Sequence, residues 1–263
     1  MPQDVEQQLV DRYNRHAIAY RELWAPVLRR AGGRLVRELA NRDARRILDV
    51  GAGTGALFED WVAAFPNVSV IGLDRSQGML EQGPARMPRV LADARRLPFR
   101  DRSADLVAMV FMLFHLPDPA AGLREARRVL VAGGRVAVLT WGSDLTSPAH
   151  EAWTRCLDDH GAEPADPAAA TRLETVDTPE KVEALVRANG FDAVRAWREE
   201  LVQVLDADGL VELKTRMGSE KPRYDSLDPE RQAACVATAR RSIASLGEDR
   251  IEARAEIVLA IAE

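Results

Sequence analysis

Lysine is nearly missing. Three lysines, Lys181, Lys214 and Lys221, stand against 33 arginines in 263 residues, an imbalance that reads as genomic composition bias. Cysteine is as scarce. Cys156 and Cys235 lie far apart without metal-ligand spacing, and the expectation is two buried or inert thiols in a reducing compartment and no metal. Tyr13, Tyr20 and Tyr224 are the three tyrosines, followed four residues later by Ala17, Trp24 and Asp228. The Tyr-x-x-x-Lys pair of many short-chain nicotinamide oxidoreductases is therefore lacking. Positive charge is not in excess: the net charge is −5 and the pI about 5.6, which argues against nucleic acid as a partner. No apolar stretch reaches membrane-spanning length, and the first residues carry no apolar core of signal-peptide length. The expectation is a soluble cytoplasmic protein without a membrane partner. No internal repeat or low-complexity linker is visible.

Hydrophobic residues make up 46%, enough to bury a sheet in one large α/β domain or a core with a modest cap. The densest information lies in residues 47–57, Ile-Leu-Asp-Val-Gly-Ala-Gly-Thr-Gly-Ala-Leu. A short apolar strand runs into a turn with glycines at 51, 53 and 55. Glycine lets backbone N–H groups approach a ligand where a Cβ would clash. A second apolar run, residues 68–73, ends in Asp74. A carboxylate there is placed to accept hydrogen bonds from ribose hydroxyls. An adenosine-containing cofactor follows. The glycines alone leave its identity open, because Gly51-x-Gly53-x-x-Ala56 also satisfies a dinucleotide fingerprint.

The remaining chain alternates strands with helices. Residues 4–40 read as helical with an interruption at 31–33. Pro26 marks a kink or a new start. Strands are expected at about 46–50, 68–73, 89–92, 104–110, 135–141 and 192–204. Helix A is expected at 54–65, and Ser76 as cap of a short helix over 76–82. Helix D starts with Asp118 as N-cap and Pro119 at its first position and ends at Gly133-Gly134. Another helix starts at Thr178-Pro179-Glu180 and ends at Asn189-Gly190. Between 143 and 177 the pattern loosens, with a loop over 163–167. Residues 206–217 and 228–246 look helical. The spacing implies a parallel, doubly wound sheet, and such sheets bind ligands at the carboxyl ends of their strands. The glycine turn, Asp74, Asp93 and residues 110–115 all fall there.

Asp49 sits inside the first strand, two residues before the glycines, and a third apolar run ends in Asp93-Ala94. With Asp74 this set resembles the class I S-adenosyl-L-methionine (SAM)-dependent methyltransferases. The likeness extends to residues 114–119, Phe-His-Leu-Pro-Asp-Pro, and to Leu130-Val-Ala-Gly-Gly134-Arg-Val-Ala-Val138. These stretches look like small-molecule methyltransferases of the ubiquinone- and menaquinone-biosynthesis type. The resemblance implies a Rossmann-like, mostly parallel seven-stranded α/β sheet of order 3-2-1-4-5-7-6. Strand 7, over 251–261, is antiparallel and lies between strands 5 and 6. It implies SAM as cofactor, S-adenosyl-L-homocysteine as product, and a small-molecule methyl acceptor as partner. It divides the chain into an N-terminal helical lid (1–40), a SAM-binding core (41–142), a cap segment (143–177), a core helix with strand 6 (178–204), a helical cap insertion (205–248) and strand 7 (249–263).

Residue by residue, the resemblance gives Gly51, Ala52, Gly53 and Thr54 to the methionine part of SAM. Asp74 goes to the ribose, Asp93 with Ala94 to the adenine amino group, and Arg75 and Met79 to the flanks of the adenine. Asp49 orients the glycine loop or reaches the SAM amino group through water. Tyr13 and Tyr20, seven apart on one helical face, reach the SAM carboxylate or simply pack the helix onto the core. Val110 closes strand 4. Residues 110–113, Val-Phe-Met-Leu, are apolar where amide and adenine N-methyltransferases carry a polar Pro-Pro-Tyr loop. A small, partly apolar acceptor fits. His115 is the first catalytic candidate: a histidine there takes a proton from a phenol or acidic carbon, or is structural and donates to a backbone carbonyl. His16 is a second candidate on the N-terminal helix. A SAM-binding protein of this fold that cyclises or regulates instead of methylating is the alternative. Oligomeric state is not readable.

Overall fold

The computed structural model describes residues 2–40, 43–142, 147–165, 167–218, 220–247 and 251–263, without the side chains of 2–5 and 167–170. The start of the expected cap segment at 143–146, residue 166 of the expected loop, and the expected segment boundaries at 41, 248 and 249 fall outside the described residues. In chain order the elements are α1 (Pro2–Ala19), α2 (Ala25–Leu39), β1 (Arg46–Val50), α3 (Phe58–Ala64), β2 (Ser69–Asp74), α4 (Gln77–Glu81), β3 (Arg89–Leu91), β4 (Ala104–Val110), α5 (Pro119–Val129) and β5 (Leu130–Trp141). They continue with α6 (Pro148–Asp159), α7 (Pro167–Glu174), α8 (Pro179–Ala188), β6 (Arg195–Leu205), α9 (Ala207–Arg216), α10 (Lys221–Asp225), α11 (Pro229–Ala244) and β7 (Ile251–Ala262).

The sheet has seven strands in the order β3-β2-β1-β4-β5-β7-β6. Strands β1 to β5 pair in parallel and β7 runs antiparallel to β5, with Val138 opposite Ala260 and Trp141 opposite Ile257. Residues 47–50 of β1 and 106–109 of β4 are all buried. Such continuously buried runs, apolar but for Asp49, belong to strands covered on both faces. β1 has β2 on one side and β4 on the other, and the crevice at such a switch of strand order is where open α/β sheets bind ligands.

Two compact units make up the chain. The first comprises residues 1–143, 171–199 and 257–263. Its core gathers Leu48, Leu73, Met109, Leu123, Val138, Val186 and Val258. The second comprises residues 144–170 and 200–256. Its core gathers Trp153, Cys156, Leu157, Leu210, Cys235 and Ile243, with both cysteines buried and free. In this unit Lys214 lies 2.6 Å from His150 and 3.4 Å from Glu220, which also accepts from Thr154 at 2.8 Å. No helix among the described residues is long and apolar enough to cross a membrane.

The structure corrects several boundaries. Residues 31–33 do not interrupt a helix: α2 runs through them. A Cβ on Gly32 would stand 2.6 Å from Leu57, so close packing, not chain reversal, is met by that glycine. The irregularity comes earlier, as one π-helical turn at Tyr20–Trp24 just ahead of Pro26. Helix A begins at Phe58 rather than 54, because residues 51–57 are spent on the turn. Helix D stops at Val129, and β5 already starts at Leu130, with Gly133 at φ +72° beside a register shift opposite β4. Asp118 does not cap α5 with its side chain but pairs with Arg124 at 3.0 Å. The loosely patterned stretch holds α6, capped by Ser147, and α7. Ser76 caps its helix as expected, and the helix expected to start at Thr178 is capped by the Thr178 side chain.

Candidate functional site

At the end of β1 the chain turns back over Leu73. The carbonyl of Leu73 accepts from the N–H groups of Gly51 and Ala52 at 2.8 and 2.9 Å. With this pair of hydrogen bonds goes left-handed backbone: φ is +76° at Gly51 and +56° at Gly53, values that side-chain-bearing residues rarely adopt. A Cβ on Gly51 would stand 2.6 Å from Met112, and one on Gly53 3.1 Å from Met79. The missing side chains leave a cradle.

Asp74, the last residue of β2, ties this turn to the next loop. Its Oδ2 accepts from the Gly53 N–H at 2.9 Å and its Oδ1 from the Ser76 N–H at 2.8 Å. Each carboxylate oxygen offers two lone-pair sites, so a second acceptor site stays available on each. Burial raises the Asp74 pKa, while these N–H groups and Arg75 oppose the rise. Asp49, 3% exposed within β1, is pushed up to about 7. Burial is the main cause, the Trp61 indole pulls against it, and the Asp74 charge adds to it.

The N-terminal helix docks on this ground. Asn14 Oδ1 accepts from Ser76 Oγ and from the Gly78 N–H, both at 2.8 Å. Glu6 pairs with Arg75 and with Arg95, each at 2.8 Å. Arg95 also holds Asp93 at 2.7 Å, and Arg75 lies 3.7 Å from it. Burial works to raise Asp93, but the hydrogen bonds and charge of Arg95, with Arg75, hold it below the ordinary carboxylate range.

Beyond β4, a single 3-10 turn (Leu113–His115) carries the histidine. Tyr13 Oη lies 3.0 Å from His115 Nε2, and the Tyr13 ring meets Tyr20 edge-on at 5.9 Å between centroids. Burial pushes the Tyr13 phenol up to about 12, Arg12 opposing and Asp74 adding, and burial with the charges of Tyr13 and Asp74 pushes Tyr20 well above the ordinary phenol range. His115 is driven down to about 3, by burial first and then by the charges of Arg12 and Arg172. It is therefore neutral at physiological pH. Phe111 adopts φ +52°, unusual for a bulky residue, and stacks on Trp141 at 4.3 Å.

These elements enclose a cavity of about 110 Å³. Of the residues singled out in the sequence, Tyr13, Tyr20, Gly51, Gly53, Asp74, Arg75, Met79, Ala94, Val110 and His115 line it. Asp49, Ala52, Thr54 and Asp93 do not: Asp49 and Thr54 are buried behind the turn, and Asp93 stands in its arginine clamp. The sequence reading assigned no site role to Leu9, Val10, Val50, Leu73, Ser76, Ala92 and Leu116 of the lining or to the anchors Glu6 and Asn14, while Phe111 and Met112 lie in the apolar loop it placed at the end of strand 4. Phe111 and Met112 were readable as neighbours of the strand end. Glu6 and Asn14 give no local signal, since their partners are more than sixty positions away. Among the described residues no cluster of metal-binding side chains occurs.

Comparison with known proteins adds the following. Residues 48–138 match a family model described as a methyltransferase domain. Trans-aconitate 2-methyltransferase of Methylobacterium radiotolerans is 34% identical over 206 residues, covering 76% of this chain and 77% of that protein. Malonyl-[acyl-carrier protein] O-methyltransferase of Methylococcus capsulatus is 35% identical over 158 residues, covering 57% of this chain and 53% of that one. Demethylmenaquinone methyltransferase of Streptomyces griseus is 36% identical over 119 residues, covering 44% and 51%. The chain thus spans about half the length of several curated relatives it matches. Among solved structures, the YcgJ protein of Bacillus subtilis superposes with a TM-score of 0.54 at 18% identity, over 87% of this chain and 97% of that one, a likeness of fold.

Proposed function

Because the chain belongs to the class I SAM-dependent methyltransferases, we propose that it transfers the methyl group of SAM to a small-molecule acceptor approaching past the carboxyl end of β4. Bound there, SAM supplies an activated methyl group on a sulfonium. The observation that carries the reading is the hydrogen bond from the Gly53 N–H to Asp74. It makes the glycine cradle and the acid at the end of β2 one rigid piece facing one cavity. The residues fit the cofactor, since a Cβ at Gly51 or Gly53 would fill the cradle and Asp74 keeps acceptor capacity for vicinal hydroxyls.

In this reading Gly51, Ala52, Gly53 and Thr54 hold the methionine part, and Asp49 orients the turn. Asp74 holds the ribose. Arg75, Met79 and Ala94 flank the adenine, and Asp93 serves it while clamping Arg95. Val110 lines the cofactor pocket at the end of β4, and Tyr13 and Tyr20 on the N-terminal lid would meet the SAM carboxylate. His115 touches the acceptor. In-line displacement from a sulfonium needs alignment above all, so the lid and the turn act by fixing the donor. The partition into lid, core and cap segments belongs to the same proposal.

The test is a calorimetric titration with S-adenosylhomocysteine, with NAD and NADP alongside. Saturable binding of the homocysteine compound alone is expected. Binding of NAD instead, or of none of the three, would overturn the proposal.

A further inference from the structure

Two departures from regular backbone border the cavity, at Phe111 and at Tyr20, both of which line it. Phe111 holds φ +52° directly after β4, a conformation costly for a bulky side chain. It does so while its N–H donates to the Leu139 carbonyl at 2.6 Å. The second departure lies between α1 and α2. There the Ala25 N–H reaches back to the Tyr20 carbonyl and closes one π-helical turn. Strained backbone persists where the packing around it over-determines it, and single π turns gather at functional sites.

Aromatic rings join the two places. Phe111 stacks on Trp141 with 4.3 Å between centroids and 31° between planes. Trp141 meets Trp24, the last residue of the π turn, at 5.8 Å. From the other end of that turn Tyr20 reaches the glycine cradle: its Cε1 would stand 3.9 Å from a Cβ on Gly53. Met112, next to Phe111, backs the same cradle at Gly51. The contacts close a circuit, from the cradle through Phe111, Trp141 and Trp24 to the π turn, and back through Tyr20.

The two helices that meet at the turn differ in how firmly they are held. α2 buries eight residues, whereas the π turn buries none. Among the described side chains of α1 only Ala17 is buried, and polar bonds at Glu6, Tyr13 and Asn14 hold that helix down. The cavity of about 110 Å³ falls well short of the roughly 300–1,000 Å³ of ligand pockets. A cofactor therefore enters when a wall gives way, and α1 is the wall with the least apolar burial.

Resting on the methyltransferase reading above, we propose that Phe111, Trp141 and Trp24 form the seat of the hinge on which α1 closes over the cofactor, with Phe111 as a positioning residue that sets Tyr20 against the glycine cradle. Left-handed backbone takes residue 111 off the side-chain alternation of β4, and the stack on Trp141 holds it there. Its effect on the cofactor passes through Trp141, Trp24 and the lid.

The experiment uses the whole chain. Release of radiolabelled S-adenosylhomocysteine is timed by a chase with excess unlabelled compound, and amide exchange is mapped by mass spectrometry with and without the ligand. Phe111→Asn accepts left-handed backbone but lacks the ring. It should release S-adenosylhomocysteine about 3- to 10-fold faster, the worth of one aromatic pair. Phe111→Tyr should restore most of the wild-type rate. Ligand-induced protection of amides 20–25 should be lost in Phe111→Asn while that of amides 51–55 is kept. Trp24→Leu should speed release to a similar extent, and the double variant should be no faster than either single one. Unchanged release in Phe111→Asn or Trp24→Leu, effects that multiply in the double variant, equal rates for Phe111→Tyr and Phe111→Asn, or surviving protection of 20–25 would each overturn the inference. Should Phe111→Asn fail to fold, Trp24→Leu decides through the same release rate and the same amides. Wild-type protein that binds no S-adenosylhomocysteine would instead refute the methyltransferase reading beneath it.

Discussion

Replacing Asp49 by asparagine isolates the energy of one buried charge. The residue sits in the middle strand, 3% exposed, and its pKa rises from 3.8 to about 7 because burial disfavours the carboxylate and Asp74 adds repulsion, against the pull of the Trp61 indole. The fold thus prefers the protonated acid. The native state holds that proton more tightly than the unfolded chain does, so the stabilisation is complete below pH 3.8. It is lost as pH rises to about 7 and constant above. At about 1.4 kcal/mol per pKa unit, the interval from pH 5 to 8 crosses about two units, or roughly 3 kcal/mol. Asparagine has no such dependence. Urea unfolding followed by tryptophan fluorescence, for both proteins at pH 5 and pH 8, gives the double difference. The variant should gain about 3 kcal/mol on the wild type between the two pH values, whatever constant offset the amide introduces. A difference between the proteins that is the same at both pH values, within about 0.5 kcal/mol, would refute the placement of a neutral acid in that strand.

Other consequences are as open to test. Asp74→Ala deprives the Gly53 and Ser76 N–H groups of their acceptor as well as removing the ribose contact, and should weaken S-adenosylhomocysteine binding by about 100-fold or more; near-native affinity in calorimetry would displace the site. Gly51→Ala combines φ +76° with a 2.6 Å approach to Met112, whereas Gly133→Ala combines φ +72° with open space. The first should lose at least about 2 kcal/mol and the second about 1 kcal/mol, and equal losses in melting experiments would deny the close approach. The neutral form of His115, held from about pH 3 upward, predicts a rate profile without an inflection near pH 6.5. An inflection there that disappears in His115→Gln would restore it as a titrating base.

The strands of the parallel half and the face that carries the site were legible because they rest on local signals: apolar runs of strand length, glycines at fixed spacing, and acids at strand ends; the order of the sheet followed only from the family resemblance. Glu6 and Asn14 were not legible, because a docking contact between α1 and the loop after β2 leaves no periodic trace. The start of α3 and the end of α5 were misplaced for a related reason. Glycine signals a turn at 51–55 but close packing at Gly32, and the letter is the same. The loosely patterned stretch beyond β5 hid α6 because Ala, Asp, Pro and Thr obscured the spacing of Ala149, Trp153, Cys156 and Leu157, the face buried in the second unit. Asp93 shows the limit at side-chain level. Its position at the end of a strand was readable, but not that Arg75 and Arg95 would claim its oxygens.

The antiparallel insertion of β7 governs how the sheet can be built. β5 ends at Trp141 and its neighbour begins at Ile251, so the chain passes through more than a hundred residues before that gap can close. Until then β5 offers an unpaired, largely apolar edge, and β6 has nothing to pair with on its inner side. Loop-closure entropy must be met before those contacts repay it, and completion of the sheet is a late, non-local event. A nascent or truncated chain ending before Ile251 therefore presents two sticky strand edges, a template for misassociation between copies. Recruiting β7 changes a half-sheet prone to self-association into one whose interior edges are sealed.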